Sequence, residues 1–174
     1  KGNKKEDYKI INKNYLKNNK DIKLMYNLAV MQQELGLLDE AESNYISLLK
    51  HSDETKYKIN LYNVYIAKGL FTNALELINS IQSKNLSLIK VNQDKAYVLY
   101  LLKNYDDSIA QCNYILKINR NNTDTLNTLG LCYLHLKKYD EANKILLEAL
   151  QLDNKNIKIL NSLGRLNHEQ RKYY

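Results

Sequence analysis

The chain repeats itself. The phrase Tyr139-Asp-Glu-Ala142 has earlier counterparts in Tyr105-Asp-Asp-Ser108, Phe71-Thr-Asn-Ala74 and Leu38-Asp-Glu-Ala41. The small residues Ala41, Ala74, Ser108 and Ala142 are separated by 33, 34 and 34 residues. A fixed period of this size marks an array whose units bury their apolar faces only against neighbouring units. The segment Thr123 to Asn156 shows what one unit is. Leu126, Leu129, Gly130 and Tyr133 recur at spacings of three and four, which is one face of a helix. Lys137, Lys138, Tyr139 and Asp140 then break the pattern, and Ala142, Leu146, Ala149 and Leu150 mark a second helix. Gly130, Ala142 and Ala149 are small where two helices approach closely. The unit is a helical hairpin.

Period and hairpin pattern together resemble the tetratricopeptide repeat (TPR) family. The match runs from about Ile22 to the end of the chain, and is clearest at Leu126, Leu129, Gly130, Tyr133, Ala142, Leu146 and Ala149. The family's usual Pro near the repeat end is Asn154 here. The resemblance implies an all-α fold, a right-handed α-solenoid of about four TPR hairpins plus flanking helices. The expected organisation is a flanking or capping helix over 1–21 and an array over 22–174. Its repeats are set at about 22–54, 55–88, 89–122 and 123–156, with a partial repeat over 157–174.

Local signals fill in this outline. Tyr8, Ile11, Tyr15 and Leu16 predict a helix from about Glu6, and Asp21 is placed to cap the next one. Gly36 and Gly69 fall where a helix C-terminus needs positive φ. Gln32 and Lys58 depart from the pattern in repeats one and two. Repeat three is the weakest, with Asn92 and Lys95 in place of apolar residues, and is where a shifted first helix is expected. Asn85 to Ser87 is the expected loop. The final helix carries Leu160, Leu163 and Leu166 but lacks a second helix, so these three are expected to lack cover within the segment.

Composition narrows the function classes. The chain carries 23 Lys and 24 Asn but only 3 Arg, with no Pro or Trp. That bias makes a surface Lys or Asn weak evidence of function. The net charge of +7 admits an acidic partner, but dispersed Lys and scattered Arg are not the clustered basic face of a nucleic-acid reader. Cys112 and Cys132 fall on packing faces and read as core side chains, with a bridge between them left open. His51, His135 and His168 are far apart, and there is no HExxH, CxxC or Gly-rich phosphate loop. Asp106 and Asp107 suit a helix start, where they complement the dipole. No catalytic residue, metal site or cofactor is expected, and the chain reads as no enzyme. No run of 18 apolar residues is present, so no membrane span is expected. The chain opens at Lys1 without Met and reads as an excised piece, so its compartment is not fixed.

The remaining surface carries the functional expectation. In the TPR family the first helices line a groove. By the repeat register, the groove receives Lys23, Tyr26 and Val30 from repeat one, and Ile59, Asn63 and Ile66 from repeat two. Repeat three adds Tyr97 and Tyr100, and repeat four adds Asn127, Leu131 and Leu134. Polar positions of the same register include Lys56, Lys90, Gln93, Asp124, His135, Lys158, Asn161 and Arg165. The apolar members are expected to form a continuous interaction patch. The expected role is a non-catalytic scaffold or adaptor holding an extended peptide or amphipathic helix of a partner protein, with acidic residues beside its anchors. The clamp some TPR domains use for chaperone-tail carboxylates is not expected. Tyr26, Val30, Asn60, Lys90 and Asp94 stand at its positions, and Asp94 repels a carboxylate. Self-association through the last helix is the first alternative, and RNA binding a weaker one.

Overall fold

The computed structural model describes residues 3–81 and 88–171. Every regular element among them is a helix, in the order α1 Lys4–Lys17, α2 Ile22–Glu34, α3 Leu38–His51, α4 Thr55–Lys68, α5 Phe71–Asn79, α6 Leu88–Leu101, α7 Tyr105–Ile118, α8 Thr123–His135, α9 Tyr139–Leu152 and α10 Ile157–Arg171. The chain divides into two compact units, Lys1–Gln82 with α1 to α5 and Ser83–Tyr174 with α6 to α10. Within each, consecutive helices pack against one another, and in the second unit α8 also packs against α6 and α10. The expected loop over Asn85 to Ser87 lies outside the described residues.

Helix starts follow local chemistry. Asp21 caps α2, its carboxylate accepting from the backbone N–H of Lys23 at 2.9 Å and Leu24 at 3.0 Å. Asn122 caps α8 in the same way through Thr125 N–H. The helix α1 begins at Lys4, two residues before the expected start, because Asn3 caps it.

The four hairpin turns share one construction. The N–H groups of Leu37, Leu70, Asn104 and Lys138 reach back to the carbonyls of Gln32, Tyr65, Leu99 and Tyr133 at 2.8–2.9 Å. This bond over five residues requires a left-handed residue just before it. Gly36 and Gly69 supply it with φ of 78° and 74°. In the later turns Lys103 and Lys137 occupy the same station with φ of 61° and 59°. The architecture imposes the conformation even where no glycine relieves it.

The small residues act as expected. Ala41, Ala74, Ser108 and Ala142 are all fully buried at helix crossings. Ser108 stays there because its hydroxyl donates to Ala96 C=O at 2.7 Å and accepts from the Cys132 thiol at 3.2 Å. Cys112 and Cys132 are buried free thiols, which closes the question of a bridge. Gly130 lets α9 approach α8, since a Cβ added there would lie 2.6 Å from Leu146 Cγ and Cδ2. The two departures also find reasons. Buried Gln32 accepts from Asn44 Nδ2 at 2.7 Å, and Lys58 reaches Asp53 and the Ser80 carbonyl. The first helix of repeat three forms in register despite Asn92 and Lys95.

Candidate interaction surfaces

The first unit presents α2 and α4. Lys23 and Asn63 are exposed there, and Tyr26, Val30, Ile59 and Ile66 are half-buried. Tyr26 is held by its surroundings: its ring lies 5.5 Å from Tyr57 and 6.5 Å from Tyr45, and its hydroxyl oxygen accepts from Asn60 Nδ2 at 3.1 Å. The Lys56 ammonium sits 5.4 Å from the Tyr26 centroid and 5.0 Å from that of Tyr57, while pairing with Glu54 at 2.6 Å. Beneath this face Tyr45 donates to Gln33 Oε1 at 3.1 Å, and burial pushes its phenol well above the usual range. The surface is an aromatic and aliphatic strip with polar edges, partly fixed before any partner arrives.

The second unit differs from expectation. Tyr100, Asn127, Leu131 and Leu134 are buried, at 9%, 8%, 6% and 5% exposure. Tyr100, Leu131 and Leu134 belong to a cluster with Cys132, Ala142, Leu146 and Leu166. The reason is the packing of α6 and α10 directly on α8, which encloses the flank of α8 that the register assigned to water. Leu166 is also fully buried, so of the final helix's three leucines only Leu160 is substantially exposed, at 46%. Gly164 faces open space where its counterpart Gly130 meets Leu146. Tyr97 remains exposed, stacked 6.1 Å from Tyr100.

What the three first helices leave open is polar. A groove of about 460 Å³ runs between them, bordered by Lys90, Gln93, Asp94 and Tyr97 of α6. From α8 come Asp124, Thr125, Asn127 and Thr128, and from α10 Lys158, Asn161 and Arg165. Most of its charges are internally answered. Lys90 Nζ lies 2.9 Å from Asp94, and Lys158 Nζ 3.3 Å from Asp124. Burial pushes the Asp94 carboxyl up, and Lys90 opposes that shift. Gln93 donates to Asn122 Oδ1, tying the groove wall to the α8 cap. Two side-chain oxygens are not answered: Thr125 Oγ1 and Asn127 Oδ1 are buried without a hydrogen-bond partner.

A second cavity of about 760 Å³ lies beside the C-terminal end of α8, lined by Leu134, His135, Tyr139, Leu160 and Gly164 among others. Arg165 borders both spaces. His135 stacks on Tyr105 at 5.2 Å and 11°, and its Nε2 lies 3.2 Å from both Tyr100 Oη and Arg165 Nη2. Burial, then the Arg165 charge, hold its imidazole below the usual range. Sequence register found Arg165 and His135, but not Thr125, Thr128 or the orphaned state of Asn127, which no local pattern encodes. Among the described residues no three His, Cys, Asp or Glu converge to hold a metal ion. No helix among them is long and apolar enough to cross a membrane.

Comparison with known proteins agrees with this geometry. Residues 68–149 match the family model for anaphase-promoting complex, cyclosome, subunit 3. Over 86% of the chain the fold superposes on 85% of MamA from Desulfovibrio magneticus, with a TM-score of 0.70 at 17% identity. A thermophilic TPR protein of Thermus thermophilus superposes with a TM-score of 0.67 at 21% identity, covering 91% of this chain and 88% of that one. The fold is that of tetratricopeptide-repeat (TPR) proteins. Another TPR structure, YrrB, described as having an unusual peptide-binding site, aligns over 90% of both chains with a TM-score of 0.62 at 17% identity. Among curated sequences, sperm-associated antigen 1 of Rattus norvegicus is 43% identical over 56 residues, which is 32% of this chain and 6% of that protein. The mouse counterpart is 39% identical over 62 residues, 36% of this chain and 7% of that protein. The match therefore spans only a small part of these relatives.

Proposed function

We propose that this TPR array is a non-catalytic scaffold, each of whose two units holds an extended partner-protein segment against its own first helices. In the first unit, the strip of Tyr26, Val30, Ile59 and Ile66 takes apolar anchors, with Lys23 and Asn63 meeting polar groups beside them. In the second unit, the polar groove between α6, α8 and α10 takes the partner's main chain. The observation that carries this reading is the pair of orphaned oxygens bordering that groove, Thr125 Oγ1 and Asn127 Oδ1. A buried polar atom without a partner costs about 1–3 kcal/mol, and a peptide offers N–H groups that remove the deficit. The terminal torsion of Asn is broad, so the Asn127 carboxamide can turn to meet an incoming backbone. Peptide binding by another protein of this fold is in keeping with the proposal.

The test is selection of ligands from a random-peptide display library on the intact chain. Selected peptides are expected to shift the amide resonances of α6, α8 and α10. Asn127→Ala is expected to weaken them about tenfold, the scale of one hydrogen bond, without lowering stability, because the orphan is removed. Ligands that perturb only α7 and α9, or that ignore Asn127→Ala, would sink the reading.

A further inference from the structure

The geometry points to Arg165 as the carboxylate-binding residue of the second unit's groove, held in place by a neutral His135, so that the partner segment carries an Asp or Glu at that point. This deepens the groove reading and rests on it. Three cations border the groove, and two already have acids: Lys90 has Asp94 and Lys158 has Asp124. Arg165 has no carboxylate within ion-pair distance among the described residues; its guanidinium is directed at His135 Nε2 instead. A guanidinium has five N–H donors and no acceptor. The nitrogen it approaches must therefore accept, which fixes His135 as the neutral tautomer with its proton on Nδ1. Tyr100 Oη lies on the same Nε2 at 3.2 Å. Stacking on Tyr105 and the tilted contact with Tyr100 hold the ring in that orientation.

The contact therefore positions the guanidinium without neutralising it. One N–H is used, and the rest of an exposed planar fork borders the groove. Such a fork matches a carboxylate in two-pronged geometry, which an ammonium does not. Tyr97, exposed on the facing wall, offers an apolar surface to the stem of a Glu side chain. The residue is outside the clamp register considered above: there the fifth helix would use Lys158 and Ser162, and Ser162 is buried with its hydroxyl donating to Lys158 C=O.

The probe is an acetylated, amidated peptide of alternating Glu and Ala, with its Gln–Ala counterpart as control, titrated into the intact chain. The Glu peptide is expected to shift the Arg165 side-chain N–H resonance. Arg165→Gln is expected to weaken it about tenfold, as for a lost charge-assisted hydrogen bond, and Arg165→Lys to recover only part. Equal shifts from the Gln peptide, indifference to Arg165→Gln, or no binding of the Glu peptide each overturn the inference. Display-selected peptides separate the two levels. If Asn127→Ala weakens them and Arg165→Gln does not, the groove stands and the carboxylate subsite falls.

Discussion

Gly130 and Gly164 occupy the same station in successive repeats, yet alanine should have opposite effects at the two. Both lie inside helices, where replacing Gly by Ala gains about 0.5–1 kcal/mol from backbone entropy. At Gly164 nothing lies within 4 Å of the added methyl, so that gain is kept whole. At Gly130 the methyl would lie 2.6 Å from Leu146 Cγ as well as Cδ2. The branch carbon is fixed by the side chain's root, and Leu146 is fully buried, so rotation of its end does not relieve the clash. Overpacking of this kind costs about 1–3 kcal/mol, and involvement of the branch carbon puts this case at the upper end. The net expectation is about 2 kcal/mol of destabilisation for Gly130→Ala and about 0.5–1 kcal/mol of stabilisation for Gly164→Ala. Urea unfolding followed by circular dichroism measures both, as midpoints moving in opposite directions. A midpoint for Gly130→Ala at or above the parent's would refute the argument that α9 sits on α8 through this glycine.

Other expectations follow from single contacts. Ala142→Asp introduces a carboxylate at a fully buried crossing of α8 and α9, and should cost several kcal/mol, roughly 3 or more, read as a lowered melting midpoint. Lys137→Gly should raise stability by about 1 kcal/mol, since Lys137 holds a left-handed φ of 59° that glycine adopts freely; an unchanged or lower urea midpoint would contradict this. Burial pushes the Cys112 thiol up to about 12 and raises that of Cys132, so neither should react with a thiol reagent at mildly alkaline pH except at the rate of opening; rapid labelling of the folded chain would disprove it. The folded His135 pKa is depressed, so its contribution to stability is present above the ordinary value of about 6.5 and lost as pH falls from there through the lowered folded value. His135→Gln should flatten that part of the stability–pH curve, and a curve identical to the parent's would count against it.

The repeat phrase ending in Ala41, Ala74, Ser108 and Ala142 determined by itself that the chain is a series of helical hairpins. Period and local pattern are short-range properties, and each hairpin carries its own caps, turn and small-residue crossing. Lys137 was legible as part of the break between two helices, but the left-handed φ of Lys103 and Lys137 was not, since neither is a glycine. Tertiary packing decided which first-helix residues reach water. Tyr26, Val30, Ile59, Ile66 and Tyr97 keep accessible surface, while Tyr100, Asn127, Leu131 and Leu134 do not. A helical register fixes a side chain's direction about its own axis, but burial depends on how closely the next helix lies. In the second unit α6 and α10 close on both flanks of α8. That closeness replaced an expected apolar patch with a polar groove, left two oxygens without partners, and set Arg165 against a neutral imidazole from a repeat away.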